Sequence, residues 1–148
     1  MSWTQLLANK DAQKHTTSKS ELDNMRELIA RDLADAALAG LSADRRFATA
    51  YNAALQTANM AIACAGYRIT ARIGHHKVSL ESAALALGKS AESLTDYFET
   101  CRRKRNQIDY TQSHVATDTE AKEIVAKAKE FYGLVESWIS KNHRQFAK

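Results

Sequence analysis

Three features of this sequence predict an all-α fold, an antiparallel bundle of four main helices with short additional helices. Proline is absent and glycine occurs only 5 times in 148 residues, whereas alanine, leucine, glutamate and lysine are plentiful, so helix breakers are rare and helix formers common. Apolar residues recur at three- and four-residue spacing through most of the chain. Small polar residues of the kind that cap helices stand before several of those runs. With 45% hydrophobic residues and no step in composition, the chain reads as one domain over 1–148, long enough for a single buried core.

The chain starts with a short amphipathic segment bearing Trp3, Leu6 and Leu7, and the polar stretch HTTSKS then reads as a loop. Ser18, with Glu21 three residues on, opens the first main helix. It is expected from about Lys19 to Ala39, with Leu22, Met25, Ile29, Leu33 and Ala36 on its apolar face and Gly40 as its C-cap. Ser42 opens the second, where Phe47, Tyr51, Leu55, Ala58 and Ile62 share a face beside Ala50, Ala54, Ala61 and Ala65. Small residues along a stripe admit close neighbours, so this helix is expected at the centre of the bundle. Either Gly66 ends or bends it, or YRITARI prolongs it to about Ile73, and GHHK is then a connector. A shorter helix is expected from Leu80 to Leu87, closed by Gly88. Ser90 caps the next, whose apolar face carries Leu94, Phe98 and Cys101. Thr117 and Glu120 form a capping box for the closing helix, where Ile124, Ala128, Phe131, Val135 and Trp138 follow at four-three spacing. Tyr51, Tyr97, Phe131 and Trp138 are expected in the core.

Several function classes find no support. Cys64 and Cys101 lie far apart and in no Cys-x-x-Cys arrangement, so two buried thiols in a reducing compartment are expected, with no disulfide scaffold or zinc site. The N-terminal residues lack a secretion-type apolar core, and the run ANMAIACAG is far shorter than the ~20 residues of a membrane helix. A soluble, cytoplasmic protein with no membrane partner and no cofactor is expected. The formal charge of +4 is a mild bias toward anionic partners. No Gly-rich phosphate loop, Ser/His/Asp set or paired-carboxylate motif is recognisable.

The stretch CRRKRNQIDY carries the chemistry. Leu94, Phe98 and Cys101 keep one face apolar, and the next positions of that stripe are Arg105 and Ile108. A guanidinium there must be paired, lie beyond the buried stripe, or face a cleft or another subunit, because burying it unpaired is costly. Asp109 stands one turn later, but an exposed i,i+4 pair contributes only ~0.3–0.5 kcal/mol. Two readings stand. Arg102, Arg103, Lys104 and Arg105 complement the negative end of a helix dipole, or Arg105, Asn106, Asp109 and Tyr110 form a polar cluster aimed at phosphate or at a symmetry mate, a task suited to arginine's planar fork.

RRKRNQIDY, preceded by an amphipathic helix and followed by a turn and a long closing helix, resembles the signature of the HEPN superfamily of small helical domains. RFATAYNAALQTA, with Tyr51 in an alanine-rich second helix, is similar to the corresponding helix of that family. The resemblance implies a homodimer in which two copies of the motif face each other across a groove. It also implies an RNA or nucleotide ligand, or a protein partner such as a minimal nucleotidyltransferase of a toxin–antitoxin or related defence system. Ribonuclease members carry an arginine, four to six residues, then a histidine. Here Arg105 and Asn106 match, but Tyr110, Thr111 and Gln112 stand where the histidine belongs, and His114 follows two residues later. Tyrosine, with a reference pKa near ~10, is a poor proton carrier at neutral pH. The departure argues against activity as a metal-independent endoribonuclease. In a catalytic variant, Arg105 would stabilise phosphate charge, Asn106 orient it, and His114 or Tyr110 handle the proton.

The groove implied around Arg105 would include Arg102, Asp109, Arg68 and Arg72, together with His75 and His76. The adjacent histidines, with no further ligands in sight, are expected to cap helix carbonyls or line this groove with Lys77 rather than bind a metal. The competing expectation is a structural homodimeric interaction module without nucleic-acid binding.

Overall fold

The computed structural model describes residues 1–72, 74–110 and 113–148, with the backbone alone for residues 109 and 110. Six α-helices follow in the order α1 (Trp3–Ala8), α2 (Lys19–Ala36), α3 (Ala43–Cys64), α4 (His75–Leu87), α5 (Glu92–Tyr110) and α6 (Asp118–Asn142), with two three-residue strands, β1 (Ala12–Lys14) and β2 (Tyr67–Ile69). The four long helices α2, α3, α5 and α6 form the bundle, so the expected all-α architecture holds. No helix among the described residues is long and apolar enough to cross a membrane.

Helix α3 is the central element, packing against α2, α4, α5 and α6. Its alanines explain why one helix can serve four neighbours. Ala50, Ala54, Ala58 and Ala61 are fully buried, and a methyl side chain lets adjacent helices come close. Larger residues fill the spaces between, with Tyr51, Met60, Ile62, Phe98 and Phe131 all fully buried. The rings of Phe98 on α5 and Phe131 on α6 lie 5.5 Å apart, within the range of favourable aromatic pairs. Cys64 and Cys101 are free and buried. Burial pushes the Cys64 thiol up to about 11, so it stays protonated and inert.

Local signals set most helix starts. Ser18 and Ser42 accept N3 backbone N–H bonds at the starts of α2 and α3, and Thr117 and Glu120 close a reciprocal capping box on α6. Asp44 Oδ1 accepts the Ala116 N–H at 2.7 Å, and Arg46 reaches Asp118 at 2.6 Å. These bonds tie the start of α3 to the start of α6 and anchor the return from α5.

The structure corrects several boundaries. Helix α2 stops at Ala36, its last buried apolar residue, and Gly40 lies in the following turn instead of at the cap. Helix α3 is not prolonged through YRITARI. Gly66, at φ +97°, adopts a conformation that side chains with a Cβ rarely take, and Tyr67–Ile69 then pairs antiparallel with Ala12–Lys14, Ala12 opposite Ile69. Tyr67 stacks on Trp3 with ring centroids 4.1 Å apart, which covers the small sheet. Ile73 itself lies outside the described residues. GHHK is not a connector: His75, His76 and Lys77 form the first turn of α4, five residues earlier than expected, behind Gly74 at φ +84°. Ser90 falls within a 3-10 turn (Lys89–Ala91), and α5 begins at Glu92. On α6, Ile139 takes the buried position and Trp138 is half-buried, as is Tyr97 on α5.

Candidate functional site

The reversal at Gly88 lays α5 back along α4. The start of α4 therefore sits beside the C-terminal half of α5, and its end beside the start of α5. The first of these junctions is a cleft lined by Arg72, His75, His76, Lys77, Arg102 and Asn106 together with Ala71 and Gly74. Among the described residues its lining includes no carboxylate. Its volume is about 800 Å³, within the range of small-ligand sites.

Each cation here has a partner that a phosphate could displace. Arg102 Nε donates to Glu99 at 3.1 Å, Arg72 meets Asp11 at 3.3 Å, and Lys77 stands 3.9 Å from Glu81. All three pairs are partly or largely exposed, and such pairs contribute ~0–1 kcal/mol. Arg72 is the most committed, because it also donates to the carbonyls of Asn9 and Lys10. Helix α4 adds its own dipole. No side chain caps its start; the His75 N–H donates to the Arg72 carbonyl, which leaves the N–H groups of His76 and Lys77 for an anion.

The histidines divide the work. His75 Nδ1 donates to the Arg72 carbonyl at 2.8 Å. His76 is half-buried behind it, with ring centroids 4.4 Å apart. Burial, then the neighbouring His75, Arg105 and Arg102, push the His76 imidazole down to about 4, so it is neutral near pH 7. Burial is the larger cause and the neighbouring positive charge adds to it, so the ring responds in part to the potential of the cleft.

Arg105 lies behind this surface and is not among the residues lining the cleft. Its guanidinium sits 5.9 Å from the centroid of the Tyr51 ring, and Nη2 donates to Asn52 Oδ1 at 3.3 Å. Tyr51 is fully buried, its hydroxyl has no hydrogen bond among the described residues, and burial followed by the Glu99 charge pushes it up to about 12. The ring is therefore a neutral platform, and Asn52 is a contact with no apolar-stripe signature in the sequence.

The remaining expected site residues separate. Arg68 stands on β2, bonded to Gln13 at 3.2 Å, and lines a different cleft. His114 is exposed in the bend beyond α5 at φ +57°. The side chains of Asp109 and Tyr110 lie outside the described residues. Among the described residues no group of His, Cys, Asp and Glu could hold a metal.

A small helical bundle with a cation-lined cleft at a helix start defines a domain suited to anionic ligands. The family model for SAV_6107-like HEPN domains matches residues 36–136, more than half of the chain, from the end of α2 through most of α6. The chain belongs to the HEPN superfamily. Membership puts it among RNase-like, nucleotide-binding or partner-docking modules. No curated protein and no solved structure matches it.

Proposed function

We propose that this HEPN domain binds RNA or a nucleotide through phosphate, in the cleft between the first turn of α4 and the C-terminal half of α5. One observation carries the reading: Arg72, Lys77 and Arg102 line one cleft with His75, His76 and Asn106, without a carboxylate among the described lining. Arg102 supplies a fork that can leave Glu99 for phosphate, Asn106 a donor, and Lys77 a mobile point charge. Arg105 then acts from behind, adding positive potential and holding the Tyr51 and Asn52 side of α3 in place. The reading is binding, not cleavage, since the family's motif histidine is replaced and His114 stands in the exposed bend. Fluorescence anisotropy with single-stranded RNA tests it. Three phosphate contacts give a slope of log K against log salt of about −2, and Arg102→Ala flattens that slope by about 0.7. Salt-independent binding, or none at low salt, would contradict the reading.

A second reading, homodimerisation or docking of a protein partner, draws on the opposite end of the same layer. There Leu80, Ala84 and the exposed Leu85 are ringed by Glu81, Glu92, Asp96 and Glu99, with Lys89 beside them. The α4–α5 layer is thus acidic at one end and basic at the other. A two-fold axis through its middle would set each acidic end against a partner's basic end, the self-complementarity an isologous dimer requires. A nucleotidyltransferase-type partner in a toxin–antitoxin or defence setting is the hetero-partner this reading takes from the family. Sedimentation at low and high salt tests the dimer: it should weaken as salt rises, and a monomer at every salt concentration would count against it.

A further inference from the structure

A second cleft, on the other side of the α4 start, suits a nucleobase. We propose that the space between α2, α3 and β2 is a base-reading pocket, so that a nucleoside monophosphate straddles His75 with its phosphate in the cationic cleft and its base against α3. This rests on the phosphate-binding reading above. The two clefts share His75 as a common wall. The second has a volume of about 310 Å³, at the small end of ligand sites.

The wall supplied by α3 is what points to a base. Gln56 and Asn59 stand three residues apart on one face of this alanine-rich helix, and both line the pocket half-buried. Among the described residues neither makes a hydrogen bond. Half-buried at the pocket wall, each amide offers a base edge both a donor and an acceptor. Apolar flanks come from Ile62 and Tyr67, the latter fixed by its stack on Trp3. At the rim, His15 Nε2 donates to Glu21 at 2.7 Å and Thr17 donates to the same carboxylate at 3.0 Å. That pair offers an acceptor to ribose hydroxyls, while Arg68 adds a cation at the mouth. Polar groups at the ends and apolar flanks between are what recognition of an unstacked base requires.

The experiment is an NMR titration of the full chain at low salt with ribose 5-phosphate and with each of the four nucleoside monophosphates. Ribose 5-phosphate should shift the backbone amides of the α4 start. Only the nucleotides should also shift the side-chain amide signals of Gln56 and Asn59, and at least one should bind about tenfold more tightly than ribose 5-phosphate. In Gln56→Ala/Asn59→Ala, where alanine keeps the helix, that advantage should vanish while ribose 5-phosphate binding persists. A terminally phosphorylated RNA tetramer binding more tightly than the best mononucleotide would identify RNA ends as the source of this unit, and the reverse would identify free nucleotides; both support the pocket. Nucleotides that bind no better than ribose 5-phosphate, or leave the two side-chain amides unmoved, overturn the pocket alone. If ribose 5-phosphate and nucleotides both fail to bind, the phosphate reading falls with it.

Discussion

Two cationic regions of this small bundle show how differently arginine can be used. At the α2–α6 seam, Arg26 is 7% exposed and its donors are taken up: Nε and Nη2 grip both carboxylate oxygens of Glu136 at 2.9 and 3.0 Å, Nη1 reaches Asp23 at 2.7 Å, and Nη2 also meets the Phe146 carbonyl at 2.7 Å. Burial pushes Glu136 up, but the bonds from Arg26 and Tyr132 outweigh it and hold the carboxyl below its usual range. In the α4–α5 cleft three cations share a lining with two imidazoles, and the carboxylates that pair with them are partly exposed. One region compensates a buried charge with opposite charges from two helices; the other accumulates like charge at a surface. The first arrangement secures a fold, and the second favours an incoming anion.

Substitutions should separate the two regions. Arg26→Ala leaves the half-buried Glu136 with Tyr132 and Lys148 as its partners among the described residues, and urea unfolding should show a loss of about 3 kcal/mol with RNA affinity unchanged in the folded protein. The α4–α5 cleft should respond to pH instead. Neutral His76 has a folded pKa of about 4 against an ordinary 6.5, so the unfolded chain takes up this proton first. The stability contributed by the neutral ring is complete above pH 6.5 and is lost as pH falls toward about 4. Thermal melts should record that decline before the Glu136 contribution fades below about 4.5, and His76→Gln should flatten the upper part of the curve. The smallest stability effect belongs to Arg102→Ala, less than about 1 kcal/mol by urea titration, although it should give the largest loss of RNA binding. A reversal, with Arg102 controlling stability and Arg26 controlling binding, would break the comparison.

Much of the bundle could be read from local chemistry. The Thr117–Glu120 box and the four-three recurrence from Ile124 to Val135 fix α6, and the Ser18 and Ser42 caps fix two more starts, because each signal is local in the chain. Signals that depend on distant residues were silent. Arg26 occupies the Leu22–Ile29 seam, but its partner Glu136 is 110 positions away, so the sequence presented Met25 as the natural seam residue. The α4 start was hidden because His75, His76 and Lys77 have no apolar face to betray a helix, and its opening residue is a left-handed glycine. Strands of three residues are too short for alternation to register. In the candidate site, Arg102, Asn106, Arg72, His75 and His76 do share a cleft, while Arg68 and Arg105 are placed elsewhere by β2 and by the Tyr51 ring. Asn52, Gln56 and Asn59 were not singled out, because amides on an alanine-rich helix carry no apolar periodicity and the Arg105 partner of Asn52 is 53 positions away.

The central claim is that the α4–α5 cleft receives phosphate. Titrating the His76 ring by NMR, with and without saturating oligouridylate, tests it most directly, since neither uracil nor the phosphodiester changes charge between pH 4 and 8. A phosphate in the cleft would offset the positive surroundings of His76 and lift its midpoint above about 4, while the larger depression due to burial stays in place. A midpoint that stays the same in both samples would contradict the account.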